Sequence, residues 1–121
     1  MIVYRVECPN CFLGPYTCCC TVMESRRQLN AMADRHNQNA NDGVSHPGIS
    51  TDLPQSIRIE EHVCGFDSLH KLKVWFHGYR TLLRSLNFKV GVYKVCKVYK
   101  TKSGTQLAFK RNTVVSYQRI P

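Results

Sequence analysis

The chain has 121 residues, with 17 Lys and Arg against 8 Asp and Glu, a formal net charge of +9. That length builds one hydrophobic core and not two, so a single domain spanning 1–121 is expected. No run of about eighteen apolar residues occurs, which argues against a spanning helix. No basic region leading into an apolar core opens the chain, so no secretory signal is read and a cytoplasmic setting is expected.

In chain order, MIVYRVE alternates Ile2, Tyr4 and Val6 against Val3 and Arg5, the period of a strand. CPNCFLGPY carries the turn formers Pro9, Asn10, Gly14 and Pro15. YTCCCTV reads as a second short strand, and MESRRQLNAMADRHNQ as a helix with Leu29 and Met32 inward and Ser25 as cap. Residues 37–62 form a long polar loop rich in Asn, Gly and Pro, a length that in a compact domain points to function or disorder. GFDSLHKLKVWFHGYRTLLRSLNF then sets Leu69, Leu72, Trp75, Phe76, Tyr79, Leu82, Leu83 and Leu86 at three- and four-residue steps. That spacing predicts one helix over 68–86, capped by Asp67 or Ser68 and ended by a left-handed Asn87. FKVGVYKVCKVYK, TQLAFKR and TVVSYQRI read as three further strands, with TKSG as a turn. The predicted class is α+β: a mostly antiparallel sheet of four to five strands with two helices on one side.

Charge is concentrated on these elements. Lys73, His77, Arg80 and Arg84 fall at steps of four, three and four, which on one helix makes a basic stripe beside the apolar one. The late strands carry Lys94, Lys97, Lys110 and Arg111 among Tyr93, Tyr99, Phe109 and Tyr117. Basic side chains mixed with aromatics suit phosphate contact and base stacking, and equally the wet face of a sheet. These eight basic residues are the candidate partner-binding set, for an acidic protein surface, a nucleoprotein complex or nucleic acid itself. No phosphate-binding glycine loop, paired-glycine dinucleotide motif or H-E-x-x-H occurs, so catalysis is not expected. His46 and His62 are the best-placed histidines for ligand or base work.

Seven cysteines without an export signal suggest reduced thiols. Cys8-x-x-Cys11 is a zinc half-site. Its partner would be the run Cys18, Cys19, Cys20, or His62 with Cys64, and neither is a standard half-site. The expectation is therefore no cofactor, with zinc the weaker reading at Cys8 and Cys11.

YRVE (4–7), GPY (14–16), HP (46–47), HVCGFDSL (62–69), WF (75–76), LNFKVGVYKV (86–95) and QLAF (106–109) resemble small accessory proteins of tailed bacteriophages over nearly the whole chain. The resemblance implies a bacterial host cytoplasm and a part in infection, such as host takeover or inhibition of a defence system. The chain ends also resemble the ADP-ribosyltransferase layout, which implies NAD as cofactor. Tyr4 and Arg5 stand at its NAD-contacting strand and Gln106 where its catalytic glutamate is expected, with His46 as a further candidate. A glutamine there removes the charge that stabilises an oxocarbenium-like transition state. The leading expectation is an accessory protein that inhibits a host machine through its basic surface.

Overall fold

The computed structural model describes residues 1–18, 20, 22–37, 54 and 62–120. In chain order these give β1 (Ile2–Glu7), α1 (Met23–Asn37), β2 (Val63–Gly65), α2 (Leu69–Trp75), α3 (Arg80–Ser85), β3 (Lys89–Val95), β4 (Tyr99–Lys100), β5 (Leu107–Phe109) and β6 (Val114–Ile120). The predicted α+β class and the antiparallel pairing stand. The described strands divide between two three-stranded sheets, ordered β1-β3-β6 and β2-β5-β4.

Strand alternation in β1 explains how one sheet serves two cores. Tyr4 and Val6 point to a cluster that includes Leu29, Met32, Phe66, Leu72, Trp75, Phe76, Leu83 and Phe88, supplied mainly by the three helices. Val3 points the other way, to Tyr93, Val95, Leu107 and Phe109. The second sheet thus covers one face of the first, and the helices cover the other. The sheets meet where Tyr4 and Phe66 exchange backbone hydrogen bonds of 2.8 Å each. Gly65 permits that approach, because a Cβ there would lie 2.5 Å from Val3 Cγ1 and 2.6 Å from the Tyr4 carbonyl oxygen.

The helix expected over 68–86 is two short helices. Ser68 caps α2, its hydroxyl accepting from the Lys71 N–H at 3.1 Å, and Asn87 takes the left-handed conformation at φ 67°. Between α2 and α3, Gly78 adopts φ +87°, outside the helical region. The apolar positions still work as predicted: Leu72, Trp75, Phe76 and Leu83 are buried and Tyr79 is half-buried. The 73/77/80/84 residues are all exposed, but they belong to two helices and the turn joining them and form no single helical stripe.

Three other expectations change. The stretch 16–22 is not a strand where it is described; Pro15 to Thr17 form a turn, with Thr17 and Cys18 N–H donating to the Gly14 carbonyl. Ser25 lies inside α1, where the Arg26 N–H already bonds the Val22 carbonyl. FKVGVYKVCKVYK breaks after Val95, so that β3 and β4 join different sheets. Most of the 37–62 loop, His46 included, lies outside the described residues.

Candidate functional site

The loop from Cys8 to Cys20 leaves the end of β1 and folds back on itself. The Cys8 N–H donates to the Leu13 carbonyl, and the Phe12 N–H donates to the Cys8 carbonyl, both at 2.8 Å. Phe12 takes φ 61°, which tightens the turn of Cys8-x-x-Cys11. The second turn, closed on Gly14, brings Cys18 back over the first. The sulfurs of Cys8, Cys11, Cys18 and Cys20 consequently all lie within 4.8 Å of one another. Cys11 and Cys18 Sγ stand 3.6 Å apart, and the Cys20 N–H donates to Cys18 Sγ at 3.4 Å.

This geometry corrects the expectation of no metal site. Cys8-x-x-Cys11 is completed by Cys18-x-Cys20, a half-site concealed in the sequence by the three adjacent cysteines. Cys64 does not join the four thiols: it lies on β2, where its carbonyl accepts from Arg5 Nη1 at 2.8 Å. Burial pushes Cys18 up to about 11, with hydrogen bonds from Cys11 and Cys8 adding to the rise and the Cys20 N–H opposing it. Cys20 is raised as well, chiefly by hydrogen bonds with Cys11 and Cys8.

Arginines hold the loop from outside. Arg5 Nη2 (3.3 Å) and Arg111 Nη2 (2.7 Å) both donate to the Phe12 carbonyl. Arg26 of α1 donates to the carbonyls of Pro15 and Tyr16. Trp75 Nε1 donates to the Tyr16 hydroxyl at 2.9 Å, joining α2 to the same loop. Beneath it, the fully buried Glu7 accepts from Tyr93 (2.8 and 2.6 Å), Tyr117 (2.7 Å) and Arg5 Nε (3.2 Å). Burial and the Glu7 carboxylate keep Tyr93 well above the ordinary tyrosine value. Over this network the exposed Phe12 meets Tyr117 edge-on at 6.0 Å, and the Arg119 guanidinium lies 6.0 Å from each ring centroid.

The model of a family described as "Bacteriophage T4 Y00F protein" matches residues 1–121. The chain belongs to this phage protein family. No curated protein and no solved structure matches it. The phage resemblance read in the sequence therefore stands at family level, whereas the ADP-ribosyltransferase layout receives nothing from these comparisons.

The predicted site residues scatter over this family member. Lys73, His77, Arg80, Arg84, Lys94, Lys97 and Arg111 are exposed, and Lys110 is half-buried. Arg111 is the one that the fold brings to the cysteine loop through a hydrogen bond. Lys97 lies 5.0 Å from the Tyr99 ring centroid instead. Of the NAD-site candidates, Arg5 is engaged by Glu7, Cys64 and Phe12, and Tyr4 packs against the helical core. Gln106 is buried, its carbonyl accepting from the Thr101 hydroxyl at 2.9 Å in the β4–β5 turn. Sequence reasoning missed Phe12, and it named the run 18–20 as a possible partner of the first pair without selecting Cys18 and Cys20, for which the C-x-C spacing was the available signal. Among the described residues, no helix is long and apolar enough to cross a membrane.

Proposed function

We propose that this phage protein acts by contact and not by catalysis: it binds a host nucleoprotein machine through its basic surface and so impedes it. The observation that carries this reading is how the charges are disposed. Lys73, Arg80, Arg84, Lys94, Lys97, Lys100, Lys102, Arg111 and Arg119 are all exposed, while Glu7, one of only eight acidic residues, is sealed inside. Glu7 is buried together with its partner Arg5, so the excess of basic over acidic residues falls to the rest of the chain, and such a field steers encounter with acidic or phosphate-bearing partners. A second reading, single-stranded nucleic acid as the partner, is favoured by Phe12 and Tyr117 under the Arg119 guanidinium, an arrangement suited to base stacking.

The test is a comparison of wild type with Arg80→Glu/Arg84→Glu and with Lys94→Glu/Lys97→Glu. Each is used to capture partners from nuclease-treated and untreated bacterial lysate at two salt concentrations. A partner held by wild type, lost in at least one folded variant and weakened by salt is expected. Equal capture by all three proteins at both salts would sink the proposal. Capture only from untreated lysate would move the assignment to nucleic acid.

A further inference from the structure

We propose that Cys8, Cys11, Cys18 and Cys20 bind a single Zn(II) ion as a closed tetrathiolate site that holds the 8–20 loop in its fold. Sulfurs about 2.3 Å from a tetrahedral ion are separated by about 3.8 Å. The four sulfurs already lie within 4.8 Å of one another, and the Cys11–Cys18 pair at 3.6 Å has the spacing of a tetrahedral edge. Small side-chain rotations suffice to close the rest. A polynuclear iron–sulfur cluster has to fit several irons and sulfides between its thiolates, which such close packing does not admit. For one divalent ion in a sulfur tetrahedron, zinc is bound more tightly than ferrous iron.

The surroundings independently fit a thiolate centre. Each thiol gives up its proton on coordination, so four thiolates and Zn(II) carry a net charge of −2. Three guanidinium groups, from Arg5, Arg26 and Arg111, grip carbonyls of this same loop. The Cys20 N–H on Cys18 Sγ is the kind of backbone donor that supports a coordinated sulfur. All four positions are filled by protein, leaving none for water or substrate, which makes the ion structural. The loop also needs a staple. Among its described residues only Cys8, Pro15 and Cys18 are buried, so two of its three inward side chains are themselves ligands.

The experiment measures zinc in the full-length protein purified without chelator, then exchanges the ion for Co(II) and records the visible spectrum. Zinc stoichiometric with the chain is expected, together with the intense d–d and thiolate-to-cobalt charge-transfer bands of a tetrahedral four-sulfur site. Cys18→Ser and Cys20→Ser should each lower the zinc content, whereas Cys96→Ser, at an exposed cysteine outside the cluster, should leave it unchanged. If a ligand variant does not fold, the wild-type zinc content and cobalt spectrum decide alone. A folded wild type with far less than stoichiometric zinc, a cobalt spectrum without four-sulfur bands, or the absorption of an iron–sulfur cluster would each overturn the assignment.

Discussion

Replacing Glu7 with glutamine tests whether the buried network beneath the cysteine loop is held by a charge. The carboxylate is inaccessible and the Arg5 side chain is 11% exposed, so this ion pair lies almost wholly inside the protein. Glutamine keeps the shape and one carbonyl oxygen, but leaves Arg5 without a counter-charge and forces at least one tyrosine hydroxyl to reverse its bond. Removing one partner of a buried pair costs about 3–5 kcal/mol, and the retained oxygen places Glu7→Gln near about 3. Tyr93→Phe removes only the hydroxyl that donates at 2.6 and 2.8 Å. A hydrogen bond to a charged group is worth about 1.5–3 kcal/mol, so that variant should lose less. Urea denaturation at pH 7, with an unchanged denaturant slope, measures both losses. A Glu7→Gln protein within about 0.5 kcal/mol of wild type, the range of an ordinary surface substitution, would show that no charge is at stake there.

Alkaline titration probes the same network. Because the folded Tyr93 pKa is raised above the unfolded value, its contribution is complete below about pH 10 and is lost as pH climbs toward the folded value; tyrosinate absorbance and a urea series above pH 10 should show this. Trp75→Ala should cost about 3–5 kcal/mol in chemical denaturation, because the ring is buried beside Phe66. Trp75→Phe should cost less, retaining apolar packing while leaving Tyr16 without the indole N–H; a wild-type melting temperature for Trp75→Ala would contradict the packing. Gly91→Ala would place a Cβ 2.5 Å from Glu7 Oε1 and 2.9 Å from Tyr93 Cε2, so about 1–3 kcal/mol of overpacking cost should appear in the same assay. Arg80→Glu with Arg84→Glu, both exposed, should move stability by less than about 0.5 kcal/mol per site by circular dichroism melting.

Much of this architecture was legible because its signals are local. Period-two alternation marked β1 and β3, and the oxygen of Ser68 and the left-handed Asn87 marked two helix ends. Apolar spacing over 69–86 was read as one helix because Trp75, Phe76, Tyr79, Leu82 and Leu83 keep a helical step through a turn that still faces the same core. Gly78 was the only letter that argued for a break. The division into two sheets is a matter of distant pairing, which alternation does not encode. The metal-type site was half visible: Cys8-x-x-Cys11 announced itself, but the choice of Cys18 and Cys20 depends on the turn at Gly14 that presents both to the first pair. The place of Arg119 over Phe12 is set by the long-range pairing of β3 with β6, which no local pattern encodes.

The position of β1 has a consequence for synthesis. Its hydrogen-bonding partner is β3, and the amino group of Met1 reaches the Val95 carbonyl across 94 residues of sequence. A chain emerging from the ribosome at about 5–20 residues per second therefore holds β1 unpaired until residues 89–95 have appeared. Through that interval Val3, Val6 and Tyr4 lack the sheet that buries them, and pairing so distant is slow in its own right. The cysteine loop is different, since its two half-sites are complete within the first twenty residues. Captured by an ion, it would be ordered before β3 reaches β1 and would tether the end of β1 in a turn while the strand waits. Folding of this small protein would then begin at a coordination centre and finish with its sheet, so scarcity of metal during infection would be felt first as a defect of biogenesis.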